Sequence, residues 1–542
     1  MSSTDENQCE IFYGGSHKIP PCKQNVGQYF LDIMAKNPNK MAQIDPIKKK
    51  TQTYGELRID SIRCALRMRQ EGVKRGDVII VCGRTHIELS TPILGAMYLG
   101  AAINTLHPDY SRHETLRMIN LTEPKIIFCD QESTNLMKEL ITEAKLQSKI
   151  VTFETDFNSY LKPHKSTEED NFVAEIVDVN NDILFIICTS GTSGLIKGVT
   201  KTHSAYYLAM NLHAIFKEGD GPMLYYSPIS WISAILFMGI MLWHGESKIT
   251  CEYDPKLNLE IMANYNIKWT FMSSLKVMEI IRHPDFPKYS SKIINSLKYL
   301  YFGGSAVTIQ QLTEYRRIFQ HSQIFNCYGC TEMSIFHTYF DRAKDEDLKL
   351  NVKKIISSGR PFIGTYWKLI DPETGLSVGR NQEAELLVKG VLLTTGYYND
   401  PKATADAIDK DGWFHTGDVV IVDNDDCLFV VGRSKDLLKY KGWQVSPSEL
   451  EHILESHPSV QSACVIGKLH ETDGDLPLAF VVKKESAESP TETEIIEFVD
   501  KQVVDYQRLR GGVIFLHSLP RTANGKIRRN ELKKLLKQLE NS

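Results

Sequence analysis

The sequence predicts an α/β protein: a large N-terminal domain of helix-covered mixed or parallel sheets, a β-rich subdomain after it, and a small α+β domain at the C-terminus. Three observations predict this. Upstream of Thr331, short apolar runs of strand length alternate with stretches of helical period, as expected for a parallel sheet buried on both faces. From Asn351 the texture changes to strand signals punctuated by turns at Gly359-Arg360-Pro361, Asp371 to Gly375 and Gly379-Arg380-Asn381. Beyond Ser446 helices and strands alternate again over a short length and end in a basic helix.

The elements follow in order. After a polar N-terminal arm, Thr53-Tyr54-Gly55-Glu56-Leu57 opens a helix that closes near Glu71-Gly72. Asp77 to Cys82 reads as a buried strand, His86 to Leu99 as a helix and Ala101 to Thr105 as a strand. A helix from Ser111 to Leu121, capped by Ser111, leads to a strand from Lys125 to Cys129. Lys165 to Asp170 reads as a surface excursion. Ile183 to Cys188 is a strand, Ala205 to Phe216 a helix, and Met223 to Pro228 a strand that precedes the apolar run Ala234 to Trp243. Leu257 to Tyr265 and Leu275 to Arg282 read as helices around a strand at Trp269 to Met272. Two further strands, Leu297 to Phe302 and Gln323 to Asn326, end in Gly303-Gly304-Ser305-Ala306 and in Cys327-Tyr328-Gly329-Cys330-Thr331-Glu332. The C-terminal part reads as helix (Ser446 to Ser456), two strands (Val460 to Ile466, Pro477 to Val482), helix (Glu492 to Gln502), strand (Gly512 to Phe515) and the basic helix from Ile527.

Composition bounds the function. A chain of 542 residues is long enough for several cores, and 42% apolar with 24% charged residues is ordinary for a soluble protein. The net charge of −4 gives no reason to expect nucleic acid as a partner, so an anionic small molecule has to be met by local charge. The opening MSSTDENQ has no basic-then-apolar signal, and the scattered cysteines read as reduced thiols. Cys327 and Cys330 form a C-x-x-C without a second pair, a poor zinc site. The longest apolar run is far below the ~20 residues that span a bilayer, and the chain ends Leu539-Glu540-Asn541-Ser542 without a Ser-Lys-Leu address. The expected location is the cytoplasm. Nothing in the sequence specifies an oligomeric state.

The stretch Thr189 to Val199, TSGTSGLIKGV, concentrates the chemistry. It follows an apolar strand. Gly191, Gly194 and Gly198 permit close backbone approach, Thr189, Ser190, Thr192 and Ser193 carry hydroxyls, and Lys197 adds a positive charge, which together suit a polyphosphate. The spacing is not that of the common P-loop. Beyond the carboxyl ends of parallel strands is where such a loop meets its ligand.

The ordered series TSGTSGLIKGV, GGSA from Gly303, YGCTE from Tyr328, GWFHTGD from Gly412, GRSKDLLKYKG from Gly432 and the NGK ending at Lys526 resembles the adenylate-forming superfamily of acyl-CoA synthetases, beetle luciferases and carrier-loading domains. The run Tyr397 to Pro401 and the KYKGWQVSPSELE run from Lys439 place it nearest the luciferase and coumarate-ligase-like branch. The resemblance implies a large domain over residues 1–432, a hinge at 433–435 and a small mobile domain over 436–542 that carries the catalytic lysine. It implies an ATP- and Mg²⁺-dependent ligase that activates a hydrophobic carboxylic acid, a medium- or long-chain fatty acid or an aryl acid, to acyl-AMP and passes it to CoA. Luciferase-type oxidation of the adenylate, or a non-catalytic acyl or nucleotide binder, are the alternatives.

By the same resemblance the loop from Thr189 holds the β and γ phosphates, Glu332 is the Mg²⁺ ligand and Thr331 contacts the α-phosphate. Gly303, Gly304, Asn326 and Tyr328 border the adenine, Ser305, Cys327 and Gly329 belong to the ATP/AMP-binding set, and Asp418 and Arg433 take the ribose. Lys526 is the catalytic lysine of adenylation. Lys435 matches the pivot, and Lys439, Lys441, Gly442 and Trp443 match the face that meets the pantetheine arm. Trp231, Ser233, Phe237, Met333 and Ser334 match the acyl pocket. Four positions depart from the family pattern. Ile196 replaces a proline before the loop lysine, implying a looser loop, and Cys327 replaces a glycine. Trp231 stands where luciferases have histidine, and Glu252 where a basic residue often meets CoA phosphate.

Overall fold

The computed structural model describes residues 10–190, 196–212, 221–304, 307, 309–433, 436–441, 443–470, 473–484, 490–521 and 526–541, without the side chains of Ser190, Leu275, Lys439, Trp443, Gln444 and Asn541. Gly191, Thr192, Ser193, Gly194, Ser305, Lys435 and Gly442 of the expected site lie outside the described residues.

Two parallel sheets form the body of the large domain. In the first, strands Lys149–Thr152, Ile126–Cys129, Val78–Cys82, Ala102–Leu106 and Ile183–Ser190 run parallel, and Ile196–Thr202 closes the edge antiparallel to Ile183–Ser190. The second aligns Leu224–Tyr225, Trp269–Met272, Tyr299–Gly303 and Gln323–Cys327, all parallel. The helix Ile232–His244 is apolar on every side and almost wholly buried, and it ends at Gly245, whose φ of +64° suits a residue without a Cβ. Local chemistry sets the other helix starts. Reciprocal capping boxes join Thr53 to Glu56, Ser111 to Glu114 and Thr491 to Glu494, and prolines open the helices at Pro255, Pro401 and Pro447.

The β-rich part is a five-stranded antiparallel sheet in the order Ile11–Tyr13, Thr365–Ile370, Ala384–Gly390, Phe414–Val422 and Leu428–Arg433. Its first strand comes from the N-terminal arm, which the sequence reading left as a polar lead-in. Ile11–Tyr13 is too short to show a period, and it is fixed by pairing with residues 366–368. The small domain packs its helices Pro447–Ser456, Glu492–Asp500 and Arg529–Asn541 around a sheet centred on Val460–His470 and Gly474–Lys483.

Several local expectations are corrected. The segment expected as a surface excursion contains a short helix, Ser166–Asp170, anchored by the Glu169 carboxylate on Arg63 at 2.9 Å. The strand expected over Met223 to Pro228 shrinks to Leu224–Tyr225, because Ser230 and Trp231 turn the chain into the buried helix. Helices Phe286–Ser296 and Asp345–Lys353 were not anticipated, and helix Pro401–Ala407 interrupts the part expected as β-rich.

Burial in the small domain has a consequence for stability. Desolvation, with the Glu451 carboxylate adding to it, pushes the half-buried Glu455 carboxyl up to about 7, even though it accepts the Ala463 N–H at 3.3 Å. A carboxyl whose folded pKa exceeds its unfolded value stabilises the fold fully below the unfolded pKa, and that contribution is lost as pH rises to the folded pKa. Urea unfolding of the small domain in the full chain should therefore weaken between about pH 4.5 and 7, and Glu455→Gln should flatten that decline. An unchanged slope would show that the carboxyl is not the source.

Candidate active site

The strand ends that the sequence singled out converge on one cleft. Tyr299–Gly303 and Gln323–Cys327 are neighbours in register, Gly303 opposite Cys327, so their glycine-rich ends emerge side by side. A Cβ on Gly303 would stand 2.5 Å from the Cys327 carbonyl oxygen, which is why glycine is needed there. Gly304 has φ +81° with open space around it. After Cys327 the chain folds into a tight turn. A Cβ on Gly329 would sit 1.5 Å from the Ile335 carbonyl oxygen, and both Ser334 (φ +57°) and Ile335 (φ +95°) occupy the left-handed half of backbone space. For a β-branched residue that is genuine strain, of order 1–3 kcal/mol. It sits directly behind Glu332.

One wall of the cleft is a buried cluster. The Tyr328 hydroxyl donates to Asp418 Oδ2 at 2.5 Å, and Arg433 Nε meets Asp418 Oδ1 at 2.6 Å. Asp418 and Arg433 face each other at the ends of the paired strands Phe414–Val422 and Leu428–Arg433. Burial pushes the Asp418 carboxyl up, while Arg433, the Tyr328 hydroxyl and Lys526 draw it back. The Tyr328 hydroxyl rises well above its ordinary value through burial and the adjoining Asp418 charge. Asn326 turns its amide nitrogen to the Ile356 carbonyl and the Ser358 hydroxyl, bracing the wall.

The opposite wall carries Glu332. Its Oε1 accepts the Tyr397 hydroxyl at 2.8 Å, and the Lys197 ammonium lies 4.6 Å above the Tyr397 ring. Thr331 precedes it in the turn, with its carbonyl accepting the Ser334 N–H at 3.1 Å. The phosphate-loop stretch forms the two arms of an antiparallel hairpin, Thr189 opposite Lys197 and Ser190 opposite Ile196, and no helix begins at its lysine. Ile196 does not hang loose: its side chain is buried and its carbonyl accepts Arg117 Nε at 2.8 Å.

Lys526 arrives from the small domain. The residue is solvent-exposed, and desolvation with the Arg433 charge pulls its pKa below that of an ordinary lysine, against Asp418 and Glu332. A cation from the far end of the chain therefore feels both carboxylates of the large domain. Lys441, on the small domain, is exposed and pairs with Asp473 at 3.3 Å, well apart from this cluster of charges in its contacts. Lys439 pairs by backbone with Gln444.

Of the acyl-pocket positions, Phe237 lies in an aromatic cluster with Tyr225, Trp269 and Phe271 at ring separations of 5.3, 5.4 and 5.4 Å, and Phe271 meets Phe336 at 5.6 Å. Ser233 donates to the Ser227 hydroxyl at 2.7 Å, Met333 is fully buried, and the Ser334 hydroxyl donates to the Leu392 carbonyl at 3.1 Å. Trp231 precedes the buried helix, its indole N–H without a hydrogen-bond partner among the described residues. Glu252 accepts the Thr85 backbone N–H, and so is tied to the large domain. Sequence reasoning assigned no role to Tyr397, although the run Tyr397 to Pro401 was noticed, and it passed over Lys201, Phe271 and Phe336. Among the described residues no cluster of three metal-ligating side chains occurs, and no helix is long and apolar enough to cross a membrane.

Comparison with known proteins places this cleft in context. Residues 30–398 match the AMP-binding enzyme family and residues 449–526 the AMP-binding enzyme C-terminal domain. The chain is 30% identical over 518 residues to 4-coumarate–CoA ligase 3 of Oryza sativa subsp. japonica, covering 93% of this chain and 91% of the relative. It is 29% identical to luciferin 4-monooxygenase of Photinus pyralis, over 92% of each chain. In three dimensions it is similar to ATP-bound MatB from Rhodopseudomonas palustris, with a TM-score of 0.83 and 22% identity over 95% of this chain and 99% of that one.

The glycines of the cleft make a contrast that equilibrium unfolding can measure. Gly329→Ala forces a Cβ into a backbone carbonyl and should cost more than about 3 kcal/mol, whereas Gly304→Ala meets open space and should cost only the ~1–2 kcal/mol of a left-handed residue. Equal costs would mean that the turn behind Glu332 yields easily.

Proposed function

Because the chain belongs to the family of AMP-binding enzymes, we propose that it is an AMP-forming acid–thiol ligase, which uses ATP to activate a hydrophobic carboxylic acid and transfers the acyl group to CoA. The observation that carries this reading is the buried Asp418 held by Arg433 and the Tyr328 hydroxyl, with Lys526 of the small domain electrostatically coupled to Asp418 and Glu332. The substrate carboxylate attacks the α-phosphorus of ATP; an acyl O–P bond forms, the bond to the β-phosphate bridging oxygen breaks, and pyrophosphate leaves. The CoA thiolate then attacks the acyl carbon, a C–S bond forms, and AMP departs with the former carboxylate oxygen.

Each residue has a part in that chemistry. Asp418 accepts the ribose hydroxyls, its charge held ready by Arg433 and Tyr328. Lys526 orients the attacking carboxylate and stabilises the negative charge that develops on the α-phosphate oxygens. Lys197 and the hydroxyls of the hairpin grip the departing pyrophosphate, and Thr331 contacts the α-phosphate. Glu332 fits Mg²⁺: it is a buried carboxylate with one oxygen engaged by Tyr397, and a hard oxygen donor is what that ion takes. Mg²⁺ bound there supplies neutralisation of phosphate charge.

A hinge at residues 433–435 lets the small domain close for adenylation and turn for thioester formation, when Lys439, Lys441 and Gly442 meet the pantetheine arm. The buried aromatic lining around Phe237 favours an aliphatic or aryl acid over a polar one. The described cysteines are free thiols, in keeping with a cytoplasmic enzyme.

ATP–pyrophosphate exchange over a panel of fatty and aryl acids, followed by CoA-dependent release of AMP, tests the reading. Lys526→Ala should lower exchange by a factor of about a hundred or more, with nucleotide binding largely kept. Full exchange in that variant, or none with any acid in the wild type, would overturn it. The similarity to luciferin 4-monooxygenase favours a second outcome, oxidation of the adenylate. Light from ATP, oxygen and a luciferin-type acid would select that branch, and darkness with every such acid would reject it.

A further inference from the structure

We propose that Lys201 is a positioning residue for adenylation, holding in place the turn that presents Glu332; the proposal rests on the ligase reading above. Lys197 and Lys201 lie on the same strand, Ile196–Thr202, and are separated by an even number of residues, so both side chains leave it on the same face. They reach Glu332 by different routes. Lys197 covers the ring of Tyr397, whose hydroxyl holds the Glu332 carboxylate. Lys201 Nζ donates to the Glu332 carbonyl oxygen at 2.8 Å and to the Leu392 carbonyl oxygen at 3.2 Å.

Lys201 is 1% exposed and makes no ion pair among the described residues. Burying an ammonium without a carboxylate in contact is expensive, and an apolar side chain would fill the same space at no such cost. What the lysine adds is a cross-link. It ties residue 332 to residue 392 across the strained pair Ser334 and Ile335, where the backbone would otherwise relax and swing the Glu332 carboxylate. Each carbonyl keeps a second donor, the Thr394 N–H at 2.8 Å on Glu332 and the Ser334 hydroxyl at 3.1 Å on Leu392. Lys201→Met therefore removes the cross-link without leaving a carbonyl bare, and its similar length keeps the core filled.

The experiment compares wild type, Lys201→Met, Glu332→Gln and the double variant in pyrophosphate exchange with the best acid, and measures ATP binding by calorimetry with Mg²⁺ and with EDTA. Lys201→Met should lower kcat about ten- to a hundredfold with the KM for ATP within about threefold, since misplacement of a positioned group is felt in the transition state. It should lose the strengthening of ATP binding by Mg²⁺ while metal-free binding is unchanged. In the Glu332→Gln background the same substitution should change kcat less than about twofold, because residues acting as a unit are not additive. Lys201→Gln, which retains N–H donors, should regain part of the rate, and it serves as the variant should Lys201→Met fail to fold. Full kcat in folded Lys201→Met, a rate for Lys201→Gln no higher than that of Lys201→Met, or an equal loss in the Glu332→Gln background, overturns the proposal. A wild-type protein that neither exchanges pyrophosphate nor binds ATP overturns the ligase reading and this inference with it, whereas active wild type with indifferent variants overturns this inference alone.

Discussion

The site depends on a buried carboxylate held by its immediate partners. Asp418 is almost wholly buried, and a carboxylate in that position is tolerable only because Arg433 meets one oxygen and the Tyr328 hydroxyl the other. The pair therefore binds together three things: the end of a parallel strand that delivers Tyr328, the antiparallel strand that holds Asp418, and the last residue of the neighbouring strand Leu428–Arg433. Its formation places the β-rich sheet against the parallel one and sets the position from which the small domain starts. Removing Arg433 alone would leave a buried charge without a partner, so binding geometry and fold are linked at this point.

A second linkage runs through Glu332. Here no ion pair does the holding: Tyr397 fixes the carboxylate and backbone donors fix the peptide, while the turn itself contains Ile335 in a conformation that it would not adopt alone. Strain of this kind persists only where surrounding contacts over-determine the backbone. The strand Ile196–Thr202 provides some of those contacts, with Lys197 over the Tyr397 ring and Lys201 on the Glu332 carbonyl.

Much of this was legible in the sequence. The alternation of Asp77 to Cys82 with the helices around it predicted the parallel sheet, and the capping box at Ser111 and Glu114 marked a helix start that the structure reproduces. The resemblance to adenylate-forming enzymes singled out Tyr328, Glu332, Asp418, Arg433 and Lys526 before any contact was known, and the structure brings Tyr328, Asp418 and Arg433 into contact. What stayed hidden is what depends on distant contacts. Lys201 and Glu332 are 131 residues apart, and Tyr397 and Glu332 are 65 apart, so no local pattern couples them. The edge strand Ile11–Tyr13 and the helix at Ser166 were missed for a related reason, since each is too short for a period and is fixed by partners elsewhere.

The central claim is that the substrate carboxylate itself attacks the α-phosphorus within the closed cleft. Supplying the wild-type enzyme with ATP, CoA and an active acid labelled with ¹⁸O in its carboxylate, and reading the products by mass spectrometry, tests that step directly. One labelled oxygen in AMP and none in pyrophosphate is the predicted result. Unlabelled AMP, or label in a phosphate released from the γ position, would contradict the account.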